Sequence, residues 1–393
     1  MSKAMGWSFN FLLRRAWQYI IAGTVITLLI TWYIFQNDLG PKSLVFTDRK
    51  TTTSSHQEPS IPKEPSISKG ASIPNLANFV YILEDPTSEI VFHFADFLSI
   101  YSALYHWHPD AIYLHTNAAD EMINRARRGG SGKWSRMIFT LPEIKIIPVV
   151  VPTHAGNGHP ITLMEHKSDF IRVEAIRRYG GVYIDFDVYA LRDMQVLRQS
   201  GFQAVAGRQH EGELNSGTFL STSGSKMIEA WSEEMNIVYD GAWTTHSNHV
   251  LTQVSERLVP EAGEILIMER QAFAPGSWNA DDCIRLFEVH EEASLNLTES
   301  LGEISLPSHQ STSDQSTVTS LHNSPTHFPW ATDWSRTYLL HAFKPGRSGA
   351  QPNGFEEITP RYVLQQGSNF ARAVYPVAEA LYRRGYFSSE DIS

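Results

Sequence analysis

Two carboxylates stand one position apart, Asp185 and Asp187, in the apolar run "RRYGGVYIDFDVYALRDM" at residues 177–194. "VYIDFDVYAL" (182–191) reads as one strand, in which alternation sends both side chains to one face and Phe186 to the other. Like charges held that close in apolar surroundings repel, and one would be protonated unless a cation intervened. Oxygen donors of this kind suit Mg²⁺ or Mn²⁺, and phosphate oxygens complete the shell of either ion. The run follows a helical pattern and two glycines, and in open α/β sheets ligands collect beyond the carboxyl ends of strands. The stretch therefore reads as a platform for a metal and a diphosphate. A solvated turn is the ordinary fate of an isolated D-x-D, and a purely structural cation site would look the same from sequence.

Two chemistries use such a pair. In one, the first carboxylate is a nucleophile and the second an acid, as in phosphatases of the haloacid dehalogenase type, whose pattern "VYIDFDVY" imitates. In the other, the carboxylates hold a metal that clamps a nucleotide-sugar diphosphate during sugar transfer. Position separates them: the phosphatase motif opens its domain, whereas here more than a hundred residues with a strand–helix–strand rhythm come first. A binding protein that keeps the nucleotide site without turnover is a third reading.

Elements able to position the pair can be read on both sides of it. "NFVYIL" (78–83) and "AIYLHT" (111–116) read as strands around an amphipathic stretch from Ser88 to His106, a βαβ unit. "IKIIPVVVP" (144–152) is a third strand, followed by a loop, "THAGNGHP". Residues 161–181 read as a helix with Phe170, Ile171, Val173, Ile176 and Tyr179 on one apolar face and Gly180–Gly181 as its stop. Later strands fall at 203–208, 217–222 and 264–269, with a helix at 225–239 and a last amphipathic helix within 369–384. Residues 299–328 are rich in Ser, Thr and His without periodicity and read as a surface insertion.

The wider string "HKSDFIRVEAIRRYGGVYIDFDVYAL" resembles the DXD region of the glycosyltransferase 32 type, a group of fungal Golgi enzymes that includes mannosyltransferases, and is similar also to glucosylating clostridial toxins. Ser168, Asp169, Arg172, Tyr179, Gly180, Gly181, Tyr183, Asp185 and Asp187 carry that resemblance. "LNSGTF" (214–219), "AFAPGSW" (272–278) and "YLLHAF" (338–343) stand where such enzymes carry further site loops. The resemblance implies an α/β chain with the GT-A fold, a retained anomeric configuration and a Mn²⁺ or Mg²⁺ cofactor. It implies that Asp187 ligates the metal directly and that Asp185 reaches the ribose or the metal through water. It puts Asp169 and Arg172, one helical turn apart, against the donor sugar and diphosphate; a surface ion pair is the competing reading. Tyr183 falls within the donor region. Asp185, Asp187 and Arg172 form the catalytic set. The resemblance also implies front-face attack, with the leaving phosphate taking the acceptor proton.

Beyond these, His341 is the best second metal ligand or diphosphate contact, against a structural strand histidine. Asn215 and Ser216, in a loop before a strand, meet donor or acceptor hydroxyls unless "NSG" is only a turn. Trp243 and Trp278 could stack on sugars, although core packing is the default for tryptophan. His154, His159 and His166 read as loop or helix-surface residues. The resemblance favours GDP-mannose as donor, with UDP-hexoses behind it, and implies a glycan or glycolipid acceptor.

The chain has 393 residues, a formal charge of -10 and one cysteine, Cys283. The acidic balance argues against nucleic-acid binding, and a single cysteine allows no intrachain disulfide and no cysteine zinc site. Residues 17–35, "WQYIIAGTVITLLITWYIF", carry no charge and are long enough to span a bilayer core. Lys3, Arg14 and Arg15 precede them, so the positive-inside rule predicts a cytoplasmic tail at 1–16, an uncleaved anchor at 17–35, a Ser/Thr/Pro-rich stem at 36–75 and a luminal catalytic domain at 76–393. That organisation describes a single-pass type II membrane protein, which the resemblance implies resides in the Golgi, and "NLT" makes Asn296 a candidate acceptor for an N-glycan.

Overall fold

The computed structural model describes residues 72–293, 328–343 and 349–392. The described residues all belong to one compact unit, Ile67–Ser393. The expected anchor, the stem up to residue 71, residues 299–327 of the insertion and Asn296 lie outside the described residues. Among the described residues no helix is long and apolar enough to cross a membrane.

The chain forms a mixed α/β fold around a seven-stranded sheet. Its strands are β1 (Leu76–Val80), β2 (Ala111–Thr116), β3 (Ile144–Pro148), β4 (Gly181–Ile184), β6 (Ala204–Arg208), β7 (Leu214–Ser221) and β8 (Ile265–Met268), in the order β3-β2-β1-β4-β7-β6-β8. Pairs β1–β2, β2–β3, β1–β4 and β6–β8 are parallel, whereas β7 runs antiparallel to both its neighbours. A separate antiparallel ribbon joins β5 (Val188–Ala190) to β9 (Leu339–His341). Helix α1 (Phe94–Trp107) makes the first β–α–β crossover, and α2 (Asp120–Arg127) with α3 (Gly132–Phe139) precede β3. Helix α4 (Met164–Tyr179) leads into β4, and α5 (Lys226–Val238) and α6 (Val250–Leu258) follow β7. Farther on, α7 (Ala280–Phe287) and α8 (Asn369–Arg383) complete the longer helices. Strands β4, β5 and β7 are buried throughout, as expected of strands covered on both faces.

The βαβ unit and the later strands fall near where the pattern of apolar residues predicts them, although β1 covers Leu76–Val80 rather than 78–83 and α1 begins at Phe94 rather than Ser88; three further differences bear on the site. The run through Asp185 and Asp187 is two strands: β4 ends at Ile184, a turn closed by Val188 N–H donating to Asp185 O (3.1 Å) carries both carboxylates, and β5 then leaves the main sheet to pair with β9. The Phe186 ring pins this turn against Phe79, Tyr81 and Phe92, at centroid distances of 5.2, 6.2 and 5.4 Å. Asn215 and Ser216 lie within β7, buried, and not in a loop before it. The "NSG" turn signal loses here to pairing with buried neighbours on both sides. Finally, α4 starts at Met164 because Ile161 donates its N–H back to Thr153 O (2.8 Å) in the preceding loop, and the third strand stops at Pro148.

The junction from α4 to β4 depends on glycine. Gly181 has φ +100°, and a Cβ there would come within 2.5 Å of Leu76 O on β1. Only a residue without Cβ lets β4 lie this close to β1 and so bring its carboxyl end to the site. Beside the junction, Asn78 Nδ2 donates to Gly180 O (3.1 Å) and Val182 O (3.4 Å), so Asn78 Oδ1 must accept from His115 Nε2 (3.0 Å). Burial holds the His115 pKa down at about 4. Because the folded value lies below the unfolded 6.5, the unfolded chain takes up this proton first as pH falls. The stabilisation is complete above pH 6.5 and is lost between there and pH 4, amounting to about 3 kcal/mol. Urea titrations at pH 7 and pH 4.5 are expected to show this loss, and His115→Gln is expected to flatten the difference.

Candidate active site

Four elements meet at the DXD turn: α4, the carboxyl end of β4, β7, and β9 from the second sheet. Asp185 Oδ1 accepts from Tyr183 Oη at 2.5 Å and lies 3.2 Å from Arg172 Nη2. Its amide donates to Gly217 O (2.9 Å), the last link between this chain and β7 before the turn. Asp187 Oδ1 lies 3.3 Å from His341 Nε2, and its carbonyl accepts from Ala342 N–H at 2.9 Å. One donor atom each from Asp185, Asp187 and His341 lie within 4.8 Å of one another.

Arg172 is the hub. Nη2 reaches Asp169 Oδ1 (3.2 Å) as well as Asp185, Nη1 donates to Ser216 O (3.0 Å), and the guanidinium lies 4.7 Å from the centre of the Tyr183 ring. Asp169 and Arg172 are each only 7% exposed, which excludes the surface ion-pair reading. Burial works against the guanidinium charge, but Asp185, Tyr183 and Asp169 more than offset it, and the pKa is raised. Burial also raises the Asp185 carboxyl, with Arg172 opposing the shift and the Asp187 charge adding to it. One guanidinium thus faces three carboxylates, an imbalance that a divalent cation would relieve.

The residues fit such a cation. Two carboxylates and an imidazole suit Mn²⁺ or Mg²⁺, and Gly217 keeps their meeting point open. A Cβ on Gly217 would sit 2.8 Å from Asp185 Oδ2, 2.8 Å from His341 Cε1 and 2.9 Å from Asn215 Oδ1. Gly217→Ala is therefore expected to displace the Asp185 carboxylate and to lower turnover by about 10²-fold, the scale of a reacting group misplaced by an ångström. Steady-state kinetics at saturating metal check this, with far-UV circular dichroism confirming the fold.

His341 is oriented by an amide relay. Gly217 N–H donates to Asn215 Oδ1 (2.7 Å), which directs Asn215 Nδ2 to Gln209 Oε1 (2.9 Å) and His341 Nδ1 (2.8 Å). An accepting Nδ1 places the ring proton on Nε2, facing Asp187. In this tautomer His341 donates a hydrogen bond into the site, which suits a diphosphate contact. To ligate a metal through Nε2, the ring must move that proton to Nδ1 and the relay must reorganise.

The buttress behind Arg172 comes from a π-helical turn, Thr245–His249. His246, fully buried, places Nε2 2.9 Å from Asp169 Oδ2, and Asn248 Oδ1 accepts from Ser216 N–H (3.1 Å). π-Turns recur at functional sites because the extra residue redirects side chains. Nothing in "THSNHV" signals a partner at Asp169, 77 residues earlier. Gln209, Gly217, His246 and Asn248 are the site neighbours that sequence reasoning missed.

The structure therefore joins Asp169, Arg172, Tyr183, Asp185, Asp187, Asn215 and His341 in one network, with Ser216 entering through its backbone. The other residues singled out lie apart from it. His166 is buried, not on the helix surface: its Nδ1 lies 3.0 Å from Tyr239 Oη, because α4 is covered on this face by the chain around Tyr239. Trp243 is 49% exposed, not core, over the His166 ring at 5.5 Å. Trp278 is half-buried beside Phe343. His154 and His159 lie in the loop before α4, as expected.

Comparison with known proteins bears on this site. A family profile described as a glycosyltransferase sugar-binding region containing a DXD motif matches residues 95–203. The chain is similar to glucan organizing enzyme 1 of Cryptococcus neoformans, at 26% identity over 246 residues, 59% of this chain. It spans about three-fifths of that relative's length, 61%. Among solved structures, the PaToxG glycosyltransferase overlaps 49% of this chain and 72% of its own at 14% identity and a TM-score of 0.36. An active-site mutant of LgtC overlaps 79% of this chain and 100% of its own at 12% identity and a TM-score of 0.37. GlyE of Streptococcus pneumoniae in its apo form overlaps 80% and 64%, at 11% identity and a TM-score of 0.37.

Proposed function

We propose that this chain, a glycosyltransferase by its DXD-type sugar-binding region, is a metal-dependent, retaining enzyme of the GT-A fold. In this reading it moves a hexose, mannose first among them, from a nucleotide-sugar donor to a glycan or glycolipid in the Golgi lumen, anchored through residues 17–35. GDP-mannose is the favoured donor and the UDP-hexoses come next. The observation that carries the proposal is the convergence of Asp185, Asp187 and His341 within 4.8 Å, with Arg172 against the same carboxylate. The uncharged apolar segment, with basic residues before it, supports the membrane setting.

Each residue then has a defined task. Asp185 and Asp187 hold the cation, with His341 as third ligand or as a hydrogen-bond donor to the diphosphate. A divalent cation there supplies positive charge against a diphosphate leaving group. Arg172 adds a fixed second positive charge on the α4 side, pre-oriented by Asp169 and Ser216 O, so that little reorganisation accompanies charge development. His246 acts one step back, as a positioning residue for Asp169. Asn215 holds the His341 ring and borders the donor site with Tyr183. A phosphatase using Asp185 as nucleophile is not favoured, because the Asp185–Asp187 turn falls within the match to a glycosyltransferase sugar-binding region.

The test is nucleotide release by the full-length protein in detergent, across GDP- and UDP-sugars, with Mn²⁺ and with chelator. Release from one donor that chelation stops is the expected result. Hydrolysis of a simple phosphate ester, with every sugar nucleotide left intact, would overturn the proposal.

A further inference from the structure

The His341 flank of the site carries an array of rings that the donor-binding residues do not use. Phe343 lies flat on the His341 imidazole, with centroids 3.8 Å apart and planes 14° from parallel. Trp278 meets Phe343 edge-on at 5.7 Å and meets His210 at 5.8 Å. Asn279 Nδ2 donates to His210 Nε2 at 3.0 Å. The loop that presents Trp278 is braced from behind: Ser277 Oγ donates to Asp282 Oδ2 (2.6 Å), and Arg270 Nη2 reaches the same oxygen (2.8 Å).

Backbone strain concentrates at the same place. Among the described residues, positive φ outside glycine occurs at His108, Glu211, Phe343 and Gln366. Phe343 (φ 54°) belongs to the array and Glu211 (φ 66°) follows His210. A bulky residue in the left-handed region is strained and persists where surrounding structure holds it for a purpose. Here the strain seats the Phe343 ring on a residue of the metal site.

We propose that Trp278, part-exposed and backed by the buried Phe343, forms the acceptor subsite with His210 and Asn279 beside it, and that its occupant is a pyranose ring of a glycan. The proposal rests on the transferase reading above. On that reading α4, β4 and β7 supply the donor contacts, and the acceptor hydroxyl must reach the same centre from another side. Aromatic faces bind the apolar faces of sugar rings, and a tryptophan gives the largest such face. An acyl chain would need a continuous apolar lining, whereas here rings alternate with an imidazole and an amide that suit hydroxyl groups.

Saturation-transfer NMR on the full-length protein in nanodiscs tests this, using manno-, gluco- and galacto-oligosaccharides with GDP, UDP and Mg²⁺ present. At least one oligosaccharide series is expected to show transfer, lost on Trp278→Ala, retained on Trp278→Phe, with nucleotide signals unchanged in all three proteins. Oligosaccharide signals indifferent to Trp278→Ala, no signal from any series, or loss of nucleotide and oligosaccharide signals together would overturn the subsite. So would transfer to the acyl chains of a short glycolipid in place of its sugar. The underlying reading fails separately, if the wild-type protein releases no nucleotide from any donor.

Discussion

Asp187→Ala is expected to lower sugar transfer by about 10³-fold or more, since several kcal/mol of leaving-group stabilisation goes with a cation ligand. The same substitution is expected to change stability by no more than about 1 kcal/mol in chelator. Its side chain is 27% exposed, and its charge opposes that of Asp185 at close range. The two effects come apart further when metal is added. Mn²⁺ should raise the unfolding temperature of the wild-type protein and leave that of the variant where it was. Nucleotide release and differential scanning calorimetry, each with Mn²⁺ and with chelator, check the pair. A variant that keeps its activity, or still gains stability from Mn²⁺, would remove Asp187 from the metal site.

Arg172→Met is expected to damage both function and fold. It leaves Asp169 and Asp185 without their shared counter-charge and Ser216 O without a donor, in a region where Asp169 is 7% exposed. Removing one partner of a buried ion pair costs about 3–5 kcal/mol. Transfer should fall by about 10²-fold or more in the fraction that folds, the scale seen when one group stabilising developing charge is removed. Arg172→Lys should recover part of the stability and little of the transfer, because a single ammonium cannot span two carboxylates and a carbonyl as the guanidinium fork does. Urea denaturation and active-site-normalised turnover measure the two losses. Wild-type stability in Arg172→Met would mean that the Asp169 and Asp185 carboxylates do not depend on this charge.

Asp185 and Asp187 stand out in the sequence because two charges in an apolar run need an explanation. The inference that they converge is right, but alternation along a strand is not the cause: a turn after Ile184, pinned by Phe186, brings them together. Asp169 and Arg172 are legible from helical spacing, while their burial is not. Helix α4 also buries His166, Asp169 and Arg172 beside its apolar residues, so no clean polar face remains to be read. His341 is legible as a histidine ending an apolar strand. His246, Asn248 and Gln209 are not, since each acts on a partner that only the folded chain brings near: Asp169, the Ser216 amide and Asn215. Asn215 itself reads as a loop residue because Asn-Ser-Gly is common in turns, and tertiary pairing overrides that local preference.

The roles proposed for this site rest on a divalent cation held at the Asp185–Asp187 turn together with the diphosphate of a nucleotide-sugar donor. Electron paramagnetic resonance of free Mn²⁺, titrated with full-length wild-type and Asp187→Ala proteins with and without GDP or UDP, tests that arrangement most directly. The wild-type protein is expected to take up one equivalent of Mn²⁺, more tightly when nucleoside diphosphate is present, and the variant to lose this uptake. Equal Mn²⁺ uptake by both proteins, indifferent to nucleotide, would contradict it.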